Sequence, residues 1–213
     1  MAKVLYITAN PRREEASFSL TVGRHFLEAY KAVSPADEVV ELDLYRLPIP
    51  LIDADIVNGW DALQQGAAFP SLIEDARRKI AALGQLTDQF SSADKYIFVT
   101  PMWNLGLPPM MKAYLDAVVI PDKTYRYTPQ GPIGLLEGRK GIHINARGRV
   151  YDGDLARLEF GDSYMKTIMR FVGVQMLDSI VVQGTILEQG GAEELKRLAF
   201  GQCEEAVRIL ATA

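Results

Sequence analysis

Apolar residues along this chain fall into two kinds of run. Short continuous stretches suit strands buried on both faces, and longer ones spaced three and four apart suit helices. Lys3 to Ala9 predicts a first buried strand, broken by Asn10 and Pro11 and followed by a polar loop from Arg12 to Ala16. Ser17, Phe18 and Ser19 then introduce Leu20, Val22, Phe26, Leu27 and Tyr30, a helical spacing that stops by Ser34 and Pro35; either serine could cap it. Glu38 to Leu44 predicts a second strand towards a sheet edge. Pro48 to Phe69, with two prolines, Asn58, Gly59, Trp60 and Gly66, predicts a long excursion containing a short helix. A long helix is expected from Ser71 to Ser92, and a third strand from Tyr96 that Pro101 stops, since proline has no N–H for a ladder. Pro108 and Pro109 suit the first turn of a helix running through Met110 to Val118. Lys123 to Gly131 predicts a hairpin-like insertion, and Arg139 to Asn145 a fourth strand. Asp162 and Ser163 read as the cap of a helix that reaches Phe171 and ends at Gly173. Gln175 to Gln183 predicts the fifth strand and Ala192 to Leu210 the closing helix.

Strands and helices that alternate in this way predict an α/β fold in three layers, a doubly wound parallel sheet with helices on both faces. A dinucleotide-binding version would carry Gly-x-Gly-x-x-Gly after the first strand, where this chain has Thr8, Ala9, Asn10 and Pro11. Nor is there a Gly-x-x-x-x-Gly-Lys-Ser/Thr loop for nucleoside triphosphates. The flavodoxin-like version remains, with five strands in the order 2-1-3-4-5 and its ligand near the ends of the first and third strands.

Composition narrows the function without naming it. The 213 residues fit one domain spanning 1–213. A net charge of −4 offers no electrostatic footprint for nucleic acid or an acidic membrane. No run approaches a membrane span, and the first strand is too short for the centre of a signal peptide. Cys203 is the single cysteine, so no internal disulfide forms, and a cytoplasmic location is expected.

Two loops carry the candidate chemistry. Ser17 and Ser19, with the amides from Phe18 onward, offer converging donors at a helix N-terminus, where a phosphate dianion is welcome; an ordinary helix cap is the competing reading. After the third strand, Met102, Trp103 and Leu105 surround the polar Asn104 and are closed by Gly106. An apolar loop with a few backbone donors at the end of a buried strand suits a planar aromatic cofactor. His25 and His143 have no close partners in sequence and read as structural, with neither a metal site nor a Ser–His–Asp arrangement in prospect.

The run Pro101, Met102, Trp103, Asn104, Leu105 and Gly106, followed by Pro108, Pro109 and Lys112 to Asp116, resembles the flavin loop and following helix of the FMN-dependent NADH azoreductases, also described as NADH:quinone oxidoreductases. The resemblance extends from Lys3 to about Val182. It implies that Ser17, Phe18 and Ser19, with Asn10, hold the FMN phosphate, and that Pro101 to Leu105 lie against the flavin ring. A third contact is implied at Asn145, Ala146, Arg147 and Gly148, where the family carries a Ser-Arg-Gly-Gly-like turn; Ala146 and Arg149 depart from it. Arg147 would then favour the reduced flavin, a surface salt bridge being the other reading. Tyr125 and Tyr127 resemble the family's aromatic hairpin beside the flavin, or a dimer-interface pair, and Trp60 lies in a region that reaches the other subunit's flavin, or simply packs. The activity implied is ping-pong hydride transfer from NADH or NADPH through FMN to quinones or azo compounds, in a homodimer, with no catalytic side chain beyond the cofactor. A flavodoxin-like electron carrier and a flavin-free binding protein on the same fold are the alternatives.

Overall fold

The computed structural model describes residues 1–186 and 191–212. Its central sheet is parallel, with strands β1 (Lys3–Thr8), β2 (Glu38–Asp43), β3 (Lys95–Pro101) and β6 (Lys140–Ala146) in the order β2-β1-β3-β6. A separate antiparallel hairpin is formed by β4 (Tyr125–Thr128) and β5 (Gly131–Gly134). Two short strands, β7 (Gln175–Met176) and β8 (Ile180–Val182), pair with β6. They replace the single fifth strand expected from Gln175 to Gln183. The ladder lapses between them, where Ser179 turns its hydroxyl to Asp162.

The period-two alternation of each strand divides the core. Leu5, Ile7, Tyr96 and Phe98 face the layer containing α3 (Glu74–Ser91), α4 (Pro109–Val118) and α5 (Gly161–Phe171). Val4, Tyr6, Ile97, Val99, Ile142 and Ile144 face α1 (Phe18–Val33) and α6 (Ala192–Ala211). Val4 to Ile7 in β1 and Tyr96 to Val99 in β3 are therefore apolar throughout, because both faces are covered there. Gly23 lets α1 lie close on the sheet: a Cβ there would sit 2.8 Å from the Tyr6 hydroxyl and from Val99.

Several boundaries move for local reasons. Pro101 stays in the ladder opposite Ala146, and the chain leaves the sheet at Met102, whose amide still donates to the Ala146 carbonyl at 2.7 Å. The long helix starts at Glu74, after a 3-10 turn at Phe69–Ser71. The Pro48 to Phe69 excursion contains α2 (Ala54–Gln64), capped by Asp53. Asp162 does not cap α5. Glu159 does so instead, accepting from the amides of Asp162 at 2.7 Å and Ser163 at 3.2 Å. Cys203 is a packed residue of α6 whose thiol is pushed up to about 12 by burial and donates to the Ala199 carbonyl.

Candidate functional site

Parallel strands all point their carboxyl ends at one rim of the sheet, and the loops leaving β1, β3 and β6 meet there. The β1 loop ends in a small polar cluster. The Asn10 amide donates to the Ser17 hydroxyl at 2.8 Å, and the Ser17 and Ser19 hydroxyls lie 3.2 Å apart. All three residues are buried. Ser17 is the cap of α1, accepting from the Leu20 amide at 3.3 Å, which leaves Ser19 inside the first turn. Three polar side chains thus converge at the positive end of a sixteen-residue helix.

After β3, Trp103, Asn104, Leu105 and Gly106 close a tight turn. The Trp103 amide donates to Gly106 at 3.0 Å and the Gly106 amide returns the bond at 2.9 Å. Asn104 and Leu105 both have positive φ, 46° and 69°, the pairing of a type I′ turn. Asparagine tolerates that region; leucine does not, so the turn holds local strain. The Leu105 carbonyl accepts from the Phe160 amide at 2.9 Å, which ties the turn to the start of α5. Trp103 remains 38% exposed and meets Tyr45 edge-on at 6.3 Å, a neighbour that no sequence signal pointed to.

The β6 end completes the rim. Asn145, Ala146 and Arg147 are buried, so Arg147 is not a surface ion pair. Its Nε donates to Asn145 Oδ1 at 2.8 Å, and Nη2 lies 3.6 Å from Glu159 Oε1. Gly148 approaches Ile186 so closely that a Cβ would sit 2.5 Å from Ile186 Cδ1. Position 149 has no positive φ, so the backbone there does not demand the second glycine that Arg149 replaces. Ala146 meets Met102 through its carbonyl, which needs no side-chain hydroxyl.

His143 is not isolated. It is fully buried, with Nδ1 2.8 Å from Asp162 Oδ1 and Nε2 2.9 Å from Thr100 Oγ1. Burial alone would raise the Asp162 carboxyl, but the His143 bond, the Ser179 hydroxyl and Lys166 together hold it well below the usual range. Thr100 and Asp162 carry no local signal in the sequence, since they meet His143 only across β3 and α5. His25 is exposed and stacks on Phe200 at 4.0 Å.

Among the described residues, no hydrogen bond or ring contact joins the three aromatic substrate candidates to these loops. Tyr125 packs on Phe171 at 4.6 Å, Tyr127 is 70% exposed beside it, and Trp60 lines a different space. That space is a cavity of about 860 Å³ between α2, α4 and α5, walled by Ile52, Trp60, Leu115, Val119, Tyr164 and Ile168.

Fold and candidate site together define an α/β protein whose candidate ligand loops leave the carboxyl ends of adjacent parallel strands. Residues 2–202 match a family described as having the flavodoxin-like fold. The chain is 50% identical over 207 residues to a protein named FMN-dependent NADH:quinone oxidoreductase 2 from Bacillus subtilis (strain 168), covering 97% of this chain and 98% of that one. A Bacillus velezensis protein named FMN-dependent NADH:quinone oxidoreductase is 48% identical over 207 residues, with the same coverage. Among solved structures, an azoreductase from Bacillus anthracis str. Sterne superposes with a TM-score of 0.89 at 34% identity, covering 97% of this chain and 99% of that one. An FMN-dependent NADH-azoreductase from Bacillus anthracis str. Ames Ancestor, solved in complex with FMN, gives 0.90 at 30% identity, covering 99% and 100%. This chain belongs to the flavodoxin-like family and, within it, to the family of FMN-dependent NADH:quinone oxidoreductases and azoreductases.

Proposed function

We propose that this chain, a single domain, binds FMN across the three rim loops and is an FMN-dependent NADH oxidoreductase of quinones and aromatic azo compounds. The observation that carries it is the adjacency, across paired β1 and β3, of a buried Asn10–Ser17–Ser19 cluster and a type I′ turn. The residues fit the cofactor by their chemistry. Two hydroxyls, an amide and a helix N-terminus suit a phosphate dianion. The Trp103–Gly106 turn offers main-chain amides beside the apolar Met102 and Trp103, which suits a flat heterocycle. Arg147, held by Asn145, supplies positive charge at the neighbouring strand end.

When bound, FMN supplies the hydride chemistry; the side chains named here bind it, orient it and keep water from it. The net reactions are NADH, a proton and a quinone giving NAD and a hydroquinone, or two equivalents of NADH and two protons cleaving an azo bond to two amines. Reductant and acceptor use one face in turn, which makes the kinetics ping-pong. NADPH as an alternative donor belongs to the same reading.

We further propose a cytoplasmic homodimer. The single buried cysteine suits a reducing compartment, and no helix among the described residues is long and apolar enough to cross a membrane. The apolar cavity beside α2, with Ile52 on its wall 44% exposed and the preceding Leu51, outside the cavity, 66% exposed, is the surface assigned to the second copy. Trp60, Tyr125 and Tyr127 would then contact substrate at the partner's flavin rather than their own.

Stopped-flow mixing of the FMN-reconstituted protein with NADH, without oxygen, tests the assignment. Rapid loss of the flavin's visible band, restored by a quinone or an azo dye, is the expected result. Tight FMN binding with no bleaching would point to an electron carrier instead, and no FMN binding would overturn the site.

A further inference from the structure

The reaction proposed above leaves one buried group unexplained. His143 and Asp162 sit under the site, and the hydrogen bonds around them form a chain that reaches it. Asp162 Oδ1 accepts from Ser179 Oγ at 2.5 Å and meets His143 Nδ1 at 2.8 Å, while Oδ2 lies 3.2 Å from Lys166 Nζ. His143 Nε2 meets Thr100 Oγ1 at 2.9 Å, and Thr100 Oγ1 meets Asn145 Nδ2 at 3.1 Å. Asn145 Oδ1 then accepts from Arg147 Nε at 2.8 Å. His143, Thr100 and Asn145 are wholly buried.

Donor and acceptor inventory gives this chain one direction. An ionised carboxylate only accepts, so His143 Nδ1 carries a hydrogen. At the other end Arg147 Nε only donates, so the Asn145 atom facing it is the oxygen, and Asn145 Nδ2 then donates to the Thr100 oxygen. The Thr100 hydroxyl hydrogen is thereby left to His143 Nε2, which accepts it. Every bond runs from Arg147 towards Asp162, an arrangement in which neighbouring bonds strengthen one another. The same α5 start also takes the Leu105 carbonyl through the Phe160 amide and Arg147 through Glu159. An apolar interior would have served packing alone, as it does at Ile142 and Ile144 on the other face of the same strand.

We propose that His143 is a positioning residue: paired with Asp162, it anchors a one-directional chain through Thr100 and Asn145 that holds the Arg147 guanidinium at the end of β6, and so sets how much more tightly the site holds reduced than oxidised FMN. The inference rests on the FMN reading above. A cation held in place stabilises the more negative reduced cofactor without reorganising. Arg147 freed from Asn145 would do so less.

Two measurements test it. The first is the nitrogen-15 spectrum of the imidazoles in FMN-free wild-type protein at pH 8, assigned by comparison with His143→Phe. The Nδ1–H tautomer is expected for His143, and the Nε2–H tautomer would overturn the chain's direction. The second is the FMN midpoint potential of wild type, Thr100→Val and Thr100→Ser. Valine keeps the shape and removes the shared hydroxyl; serine restores it. Thr100→Val should weaken binding of reduced relative to oxidised FMN about tenfold, lowering the two-electron potential by about 30 mV, and Thr100→Ser should return it to the wild-type value. A folded Thr100→Val at the wild-type potential would overturn the proposal. If that variant does not fold, His143→Phe takes its place with the same expected shift. Wild-type protein that takes up no FMN would instead defeat the functional reading, while the tautomer still reports on the chain itself.

Discussion

Ser17 and Ser19 separate folding from binding within two residues. Ser17 Oγ accepts from the Leu20 amide at 3.3 Å and from Asn10 Nδ2 at 2.8 Å, so Ser17→Ala removes a helix cap and strands a buried amide. A lost cap costs about 1 kcal/mol, and a buried donor left without a partner costs about 1–3 kcal/mol. The stranded amide can relax towards Ser19, so the two do not add in full, and the FMN-free variant should lose about 2 kcal/mol, roughly thirtyfold in the folding equilibrium. Ser19 Oγ bonds only to Ser17 among the described residues and sits inside the helix, where alanine is the better former. Ser19→Ala should therefore stay within about 0.5 kcal/mol of wild type. Against FMN the two should look alike. Each removes a hydroxyl from a charged phosphate, a bond worth about 1.5–3 kcal/mol, or roughly ten- to a hundredfold in Kd. Urea unfolding of the FMN-free proteins gives the first comparison and fluorescence titration with FMN the second. If Ser19→Ala is destabilised as much as Ser17→Ala, the capping assignment is wrong. If neither loses FMN affinity, the phosphate does not bind here.

Leu105 occupies a left-handed conformation that leucine disfavours by about 1–2 kcal/mol. Leu105→Gly should therefore cost almost nothing in thermal unfolding, while β-branched Leu105→Val should lose about 1–2 kcal/mol; the opposite order would mean the type I′ turn is not there. The depressed Asp162 carboxyl contributes stability that is complete above its unfolded value near pH 4 and is lost as pH falls through the lower folded value. Asp162→Asn should thus be less stable at pH 7 yet shallower in its acid limb between about pH 4 and 2, and parallel urea midpoints for the two proteins across that range would contradict the pairing. Ile52→Glu puts a charge on the apolar surface assigned to the second copy, at a residue already 44% exposed in the free chain. Light scattering should show a monomer that still binds FMN, and an intact dimer would mean that another face is used.

The sequence alone determined the order of the elements and the place of both main loops. Buried parallel strands are apolar on both faces, so Lys3 to Ala9 and the run from Tyr96 stand out, and an open α/β sheet leads one to expect a ligand at their carboxyl ends. Ser17 and Ser19 were legible as cap candidates and Met102 to Gly106 as an apolar loop because those signals are local, whereas the ladder running through Pro101 and the type I′ turn emerged only in the fold. Contacts between distant segments were not legible. Glu159 rather than Asp162 caps α5 because Asp162 is drawn to His143, a strand residue nineteen positions earlier. Arg147 reads equally as a flavin contact or a surface salt bridge until β6 and α5 bury it between Asn145 and Glu159. The fifth strand looks continuous until Ser179 finds Asp162. In each case a polar side chain buried by the fold had to find a partner, and only the tertiary structure decides which partners come within reach, because burial is what makes an unmatched polar group costly.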